Sequence, residues 1–119
     1  MQIPVDFMTR ALNKAATLKQ TRFVVEAAGR SCVLNLMADR YTTIDFTDAN
    51  YRRIDIFIFP ETEGKAHLFR VRVKSNLYFV SAVDGGIRYD FNETNQVEPG
   101  LQKIVEDGLI ALFVWLNQA

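Results

Sequence analysis

The feature that most constrains the fold is a stretch in which the hydrophobic period is two. From Arg22 to Phe91 apolar side chains recur at alternate positions, and turn signals interrupt them about every eight to twelve residues. Alternation marks a strand with one buried face. Connections this short can join only antiparallel neighbours, because a parallel pair needs a crossover of a dozen residues or more. The segment therefore reads as an antiparallel meander with no helix in its middle.

A slip of one residue would carry every side chain of a strand to the wrong face, so the register can be proposed strand by strand. A turn at Gly29-Arg30 places Phe23, Val25 and Ala27 on one face with Cys32, Leu34 and Leu36. A three-residue connection at Asp39-Arg40-Tyr41 keeps Ile44 and Phe46 there, and after the loop from Thr47 to Arg52 the face continues through Ile54, Ile56 and Ile58. A hairpin turn at Glu63-Gly64 then pairs Ile58 with Phe69, Ile56 with Val71 and Ile54 with Val73. Turns at Ser75-Asn76 and Asp84-Gly85-Gly86 add Tyr78, Val80 and Ala82, then Ile87, Tyr89 and Phe91. Seven strands agree on one apolar face, which predicts a strongly twisted sheet or half-barrel.

Helical periods flank the meander. Between Pro4 and Lys19, the residues Val5, Phe7, Met8, Ala11, Leu12, Ala15 and Leu18 form one stripe. The second helix opens at Glu98-Pro99, with proline where its missing N–H costs nothing. Its stripe of Leu101, Ile104, Val105, Gly108, Leu112 and Leu116 suffices to cover a sheet, yet Leu109, Ile110, Phe113, Val114 and Trp115 extend apolarity around the circumference. That surplus needs a second cover, either the first helix or a helix-mediated homodimer through Leu109, Phe113 and Trp115. The expected fold is α+β: N-terminal helix, seven-strand antiparallel meander, C-terminal helix, with both helices on one face, in a single domain over 1–119.

Fourteen basic side chains balance fourteen acidic ones, so no global field directs the chain to nucleic acid or an anionic membrane. The longest apolar run, Gly108 to Leu116, is far short of the roughly 20 residues that cross a bilayer, and no membrane association is expected. The start lacks a basic segment followed by an apolar one, and the single cysteine cannot form an internal disulfide. Both point to a reducing, cytoplasmic setting.

Phosphate-cradling, dinucleotide, nucleophile-elbow and HExxH patterns are all missing. One histidine and one cysteine cannot build a nitrogen and sulfur zinc site, and no metal, cofactor or catalytic residue is assigned. His67, placed just before a strand at Leu68, reads as a partly solvated edge residue, and Cys32 as a small buried hydrophobe. Asp45 and Asp55 alternate onto the face opposite the core. As an acid and base pair they would need a cleft, and otherwise they are solvated or ion-paired strand residues.

That opposite face is unusual. Arg53, Arg70, Arg72, Lys74 and Arg88 are mixed there with Phe57, Phe59 and Phe79, where a solvated sheet face would carry Thr, Ser, Lys and Glu. Cross-strand pairing sets Phe57 opposite Arg70, Asp55 opposite Arg72, and Arg72 opposite Phe79. Aromatic residues and arginine are the types enriched at protein-protein hot spots. The leading expectation is a non-enzymatic adaptor, inhibitor or chaperone-like module that binds another protein, or itself as a homodimer, through Phe57, Arg70, Arg72, Phe79 and Arg88. Two alternatives stand beside it: single-stranded nucleic acid stacked on the same face, and a carboxylate-dependent enzyme. A third explanation is structural, in which the aromatic rings bury one another under the arginine stems.

Overall fold

A computed structural model describes residues 6–37, 41–59, 66–83, 86–90 and 100–118, with 66–68, 82–83 and 86–90 described as backbone. Helix α1 (Phe7–Leu18) is followed by β1 (Arg22–Ala27), β2 (Arg30–Asn35), β3 (Thr42–Thr47), β4 (Arg53–Ile58), β5 (Ala66–Val73), β6 (Asn76–Val83), β7 (Gly86–Asp90) and helix α2 (Leu101–Leu116). The strands lie in chain order and every neighbouring pair is antiparallel, so the sheet is an up-and-down meander. The α+β class follows. Expected positions at Pro4 and Val5, the Asp39-Arg40, Glu63-Gly64 and Asp84-Gly85 turns, Phe91 and the Glu98-Pro99 helix start lie outside the described residues.

The apolar face is the one the alternation assigns. Leu34, Ile44, Ile54, Ile56, Ile58 and Val71 are fully buried along its centre. Ile58 pairs with Phe69, Ile56 with Val71 and Ile54 with Val73. Three hairpins differ from expectation by one residue at the turn, one of them β2–β3, where Leu34 pairs with Ile44 and not with the Phe46 that a three-residue connection at Asp39-Arg40-Tyr41 would give it. The other two are β1–β2 and β5–β6. Ala28 and Gly29, both with positive φ, form the first, so Ala27 pairs with Arg30. Lys74, φ 57°, and Ser75 form the turn between β5 and β6, so Val73 pairs with Asn76. Moving a turn by one residue moves the register by two. Every side chain keeps its face and only its partners change. The consequence on the outer face is that Arg70, not Arg72, stands opposite Phe79, while Arg72 meets Leu77. His67 lies inside β5, paired with Ala82, rather than before the strand.

Helix α1 buries Phe7, Met8, Ala11 and Ala15, one stripe at helical spacing. It ends where Lys19 adopts the left-handed conformation and the Gln20 N–H closes back on the Ala15 carbonyl at 3.2 Å. Helix α2 lies across β1 to β4 and beside α1. Gly108 is its point of closest approach: a Cβ there would stand 2.4 Å from Ile56 Cδ1 and 3.3 Å from Phe46 Cε1.

Most of the surplus apolar surface of α2 is covered within the chain, with Val114 left exposed at 37%. Leu109 is 0% and Trp115 4% exposed. Trp115 packs on Phe23 of β1 with ring centroids 4.7 Å apart, and the Lys14 ammonium of α1 sits 4.5 Å above the same ring while donating to the Trp115 and Gln118 carbonyls. Phe113 meets Phe7 edge-on at 6.0 Å, and Phe7 in turn meets Phe69 of β5. The dimer-helix residues Leu109 and Trp115 are therefore interior, because α1 and β1 supply the second cover. Among the described residues, no helix is long and apolar enough to cross a membrane.

Candidate functional site

The outer face of the sheet carries the candidate site, and strand alternation puts it there. On β4, Arg53, Asp55 and Phe57 point away from Ile54, Ile56 and Ile58, and on β5, Arg70 and Arg72 point away from Phe69, Val71 and Val73.

Asp55 is the centre of the arrangement. It is 3% exposed although it lies on the solvent side of the sheet. Arg72 Nε and Nη2 donate to its Oδ2 at 2.9 and 2.8 Å, and Arg53 Nε lies 3.5 Å from Oδ1. Directly across the β3–β4 ladder stands Asp45. Burial, then the hydrogen bond to Asp55 and the charge of Asp55, push the Asp45 carboxyl up to about 7. Burial also acts to raise Asp55, but the hydrogen bond from Asp45 and the Arg72 guanidinium outweigh it and hold Asp55 below the usual carboxylate range. Between the lowered titration of Asp55 and the raised one of Asp45 the pair carries one proton and one negative charge.

The aromatic residues are interleaved with the cations. The Arg70 guanidinium lies 5.1 Å from the Phe59 ring and 5.6 Å from the Phe79 ring, and Arg72 lies 5.4 Å from Phe57. Tyr41, which the sequence pattern assigns to a turn, lies against both Phe57 and Phe59 with centroids 5.6 Å away in each case. Phe57, Arg70, Arg72 and Phe79 are thus brought together as expected from alternation. Arg88 occupies β7 opposite Ser81, one strand beyond Phe79. Arg53, Arg70 and Arg72 outnumber the two carboxyls they surround, on a chain of zero net charge.

A second charged cluster lies at the start of α2, around a cavity of about 130 Å³ lined by Arg30, Asp48, Arg52, Lys103 and Asp107 among others. Burial acts to raise Asp48, but the Arg52 and Asn50 N–H groups and the Arg52 side chain, donating at 2.9 to 3.0 Å, hold it below the usual range. Asp107 is paired with Lys103 at 3.3 Å and Arg30 at 3.7 Å. Each carboxylate here is matched by a cation, which fixes α2 against β2 and orders the β3–β4 loop. Sequence reasoning missed this cluster because its members come from three separate segments, β2, the β3–β4 loop and the start of α2, with no common spacing. Among the described residues, no group of three His, Cys, Asp or Glu side chains is placed to hold a metal ion. Cys32 is fully buried.

No protein-family model, curated protein or solved structure matches the chain. The functional reading rests on its own geometry.

Proposed function

We propose that the chain is a non-enzymatic protein-binding module of adaptor, inhibitor or chaperone-like kind, which receives an acidic segment of its partner on the outer sheet face. A strongly twisted sheet, the form that gathers rings and guanidinium groups from several strands, is part of this reading. The observation that carries it is the placement of Arg70 between Phe59 and Phe79 beside the Arg72–Asp55 pair. Stacking on the rings holds the guanidinium in one orientation, which lowers the entropy lost when a carboxylate is captured. Phe57, Arg70, Arg72, Phe79 and Arg88 form the surface, and Arg53 borders it.

Two features favour a protein over nucleic acid or a substrate. The faces of Phe57, Phe59 and Phe79 already contact Arg70 or Arg72, so a stacking base would have to displace them. The carboxylate of Asp55 is taken up by Arg72, Arg53 and the proton of Asp45, leaving the pair a structural unit rather than a free base.

The test replaces Phe79 with a photo-crosslinking phenylalanine analogue in the producing cell, with Val114 on α2 as the control position. The expected result is a discrete protein adduct at Phe79 that Arg70→Glu removes. A nuclease-sensitive adduct in its place, or the same adduct pattern at Val114, overturns the proposal.

A further inference from the structure

The β1 edge of the sheet lacks several of the devices that usually close such edges, and the two charges it carries, on Arg22 and Glu26, are of opposite sign. It contains no proline and no lysine, and its pairing with β2 runs without a bulge from Arg22 to Ala27. Ladder phase shows which of its backbone groups are open. The Thr21 carbonyl accepts from the Leu36 N–H at 2.8 Å, and Phe23–Leu34, Val25–Cys32 and Ala27–Arg30 follow in the same phase. Odd-numbered residues therefore turn N–H and C=O toward β2, and Arg22, Val24 and Glu26 turn theirs to the open edge. The side chains of these three point to the outer face and are exposed, Val24 at 58%.

Spacing makes this edge its own complement. Arg22 and Glu26 are opposite in charge and equally far from Val24. When a second β1 is laid antiparallel about a twofold axis through Val24, Val24 meets its counterpart, Arg22 meets Glu26 and Glu26 meets Arg22. These are also the residues whose backbone groups are open, so the three rungs are hydrogen-bonded pairs. On the core side the same register sets the half-buried Phe23 against Val25 of the second copy. Val33, opposite Val24 on β2, widens the apolar strip on the outer face. The Gln20 amide donates to the Arg22 carbonyl at 2.5 Å in the single chain and would give way to the new rung.

We propose that β1 is a self-association edge, on which a second copy of this chain adds antiparallel, β1 to β1, about a twofold axis at Val24. Charge complementarity selects a second copy over an unrelated extended segment, since the edge supplies both members of each ion pair. Such a dimer joins two sheets edge to edge and leaves the Arg70 surface open on each copy, so the proposal stands apart from the partner-binding reading.

Sedimentation velocity from about 10 μM to about 1 mM tests it. The wild-type chain is expected to dimerise. Glu26→Arg places arginine opposite arginine twice and should weaken association about tenfold or more. The swap Arg22→Glu with Glu26→Arg restores complementarity within one chain and should restore the dimer. An equal mixture of Arg22→Glu and Glu26→Arg chains should form a heterodimer although each variant alone is monomeric. Val24→Pro removes only an outward N–H and should also abolish dimerisation while circular dichroism shows the fold retained. A wild-type monomer at the highest concentration overturns the proposal. So does a dimer that survives both Glu26→Arg and Val24→Pro, or a loss at Glu26→Arg that neither the swap nor the mixture repairs.

Discussion

Asp45 and Asp55 stand directly opposite each other on β3 and β4, with Arg72 and Arg53 bound to Asp55, and the Asp45 carboxyl is pushed up to about 7. Two like charges at adjacent strand positions would repel. Neutralising one of them lets a cross-strand acid pair stay in the middle of a sheet and leaves the surrounding arginines in excess.

This pair sets a pH window for stability. Asp45 titrates at about 7 when folded and near 3.8 when unfolded, so its contribution is complete below about 3.8 and is lost as pH rises to about 7. Asp55 and Asp48 are displaced downward, so their contributions are present above about 3.8 and are lost as pH falls. Stability from these groups should peak near about pH 4 and decline as pH rises toward 7. Asp45→Asn keeps a donor to Asp55 without the titration. It should come closest to the wild type near pH 4 and exceed it at pH 8 by about 1 to 2 kcal/mol, solvent screening allowed for. Urea melts at the two pH values measure this, and an equal difference at both would refute it.

Gly108 and Ile56 should be energetically coupled. Alanine improves helix propensity by about 1 kcal/mol, but its methyl would fall 2.4 Å from Ile56 Cδ1, in a core where Ile56 is 0% exposed. Gly108→Ala should destabilise by about 1 to 3 kcal/mol. Ile56→Val deletes the Cδ1 methyl and should cost about 1 kcal/mol alone. The double variant should be more stable than Gly108→Ala, giving a coupling of about 1 to 2 kcal/mol. Additive effects in denaturant melts would show that the helix shifts instead.

The facing of side chains was legible because alternation in β1 to β6 is nearly unbroken and two-residue register shifts preserve it. Partner assignment at the β1–β2 and β5–β6 hairpins was not, because Ala28 and Lys74 hold the left-handed conformation that glycine or asparagine would have announced. Asp45 and Asp55 could be placed on the outer face, but the loop from Thr47 to Arg52 leaves the β3–β4 register open. Their opposition came only with the structure. Tyr41 was hidden for a related reason, since nothing in a connection tells where its ring will lie. The excess apolarity of α2 was plain in sequence, whereas its cover depends on contacts such as Phe7–Phe113 between residues more than a hundred positions apart.

Trp115 tests that cover. Its ring is enclosed by Phe23 and Lys14, so Trp115→Glu buries a carboxylate beside a single ammonium and removes the largest side chain of α2. The expected cost is about 3 to 5 kcal/mol, comparable with the whole stability of many domains this size. Near-native far-ultraviolet circular dichroism should be lost, or the melting transition should become broad and low. A folded Trp115→Glu chain with an unchanged transition would mean that the ring is dispensable to the monomer.

Cys32 offers a probe of opening that touches none of these sites. It lies between β1 and β3 at 0% exposure, and burial pushes its thiol up to about 11 against a smaller opposing effect of Arg30. Reagents that attack thiolate should find almost none near neutral pH. Alkylation under native conditions should therefore run at least about a thousandfold slower than in denaturant, through molecules that open globally. The rate should rise in Gly108→Ala by the factor its loss of stability implies, roughly tenfold per 1.4 kcal/mol. A native rate indifferent to Gly108→Ala would place the reactive opening in the β1–β2 hairpin alone, and would mean that this edge of the sheet separates from α2 without unfolding the rest.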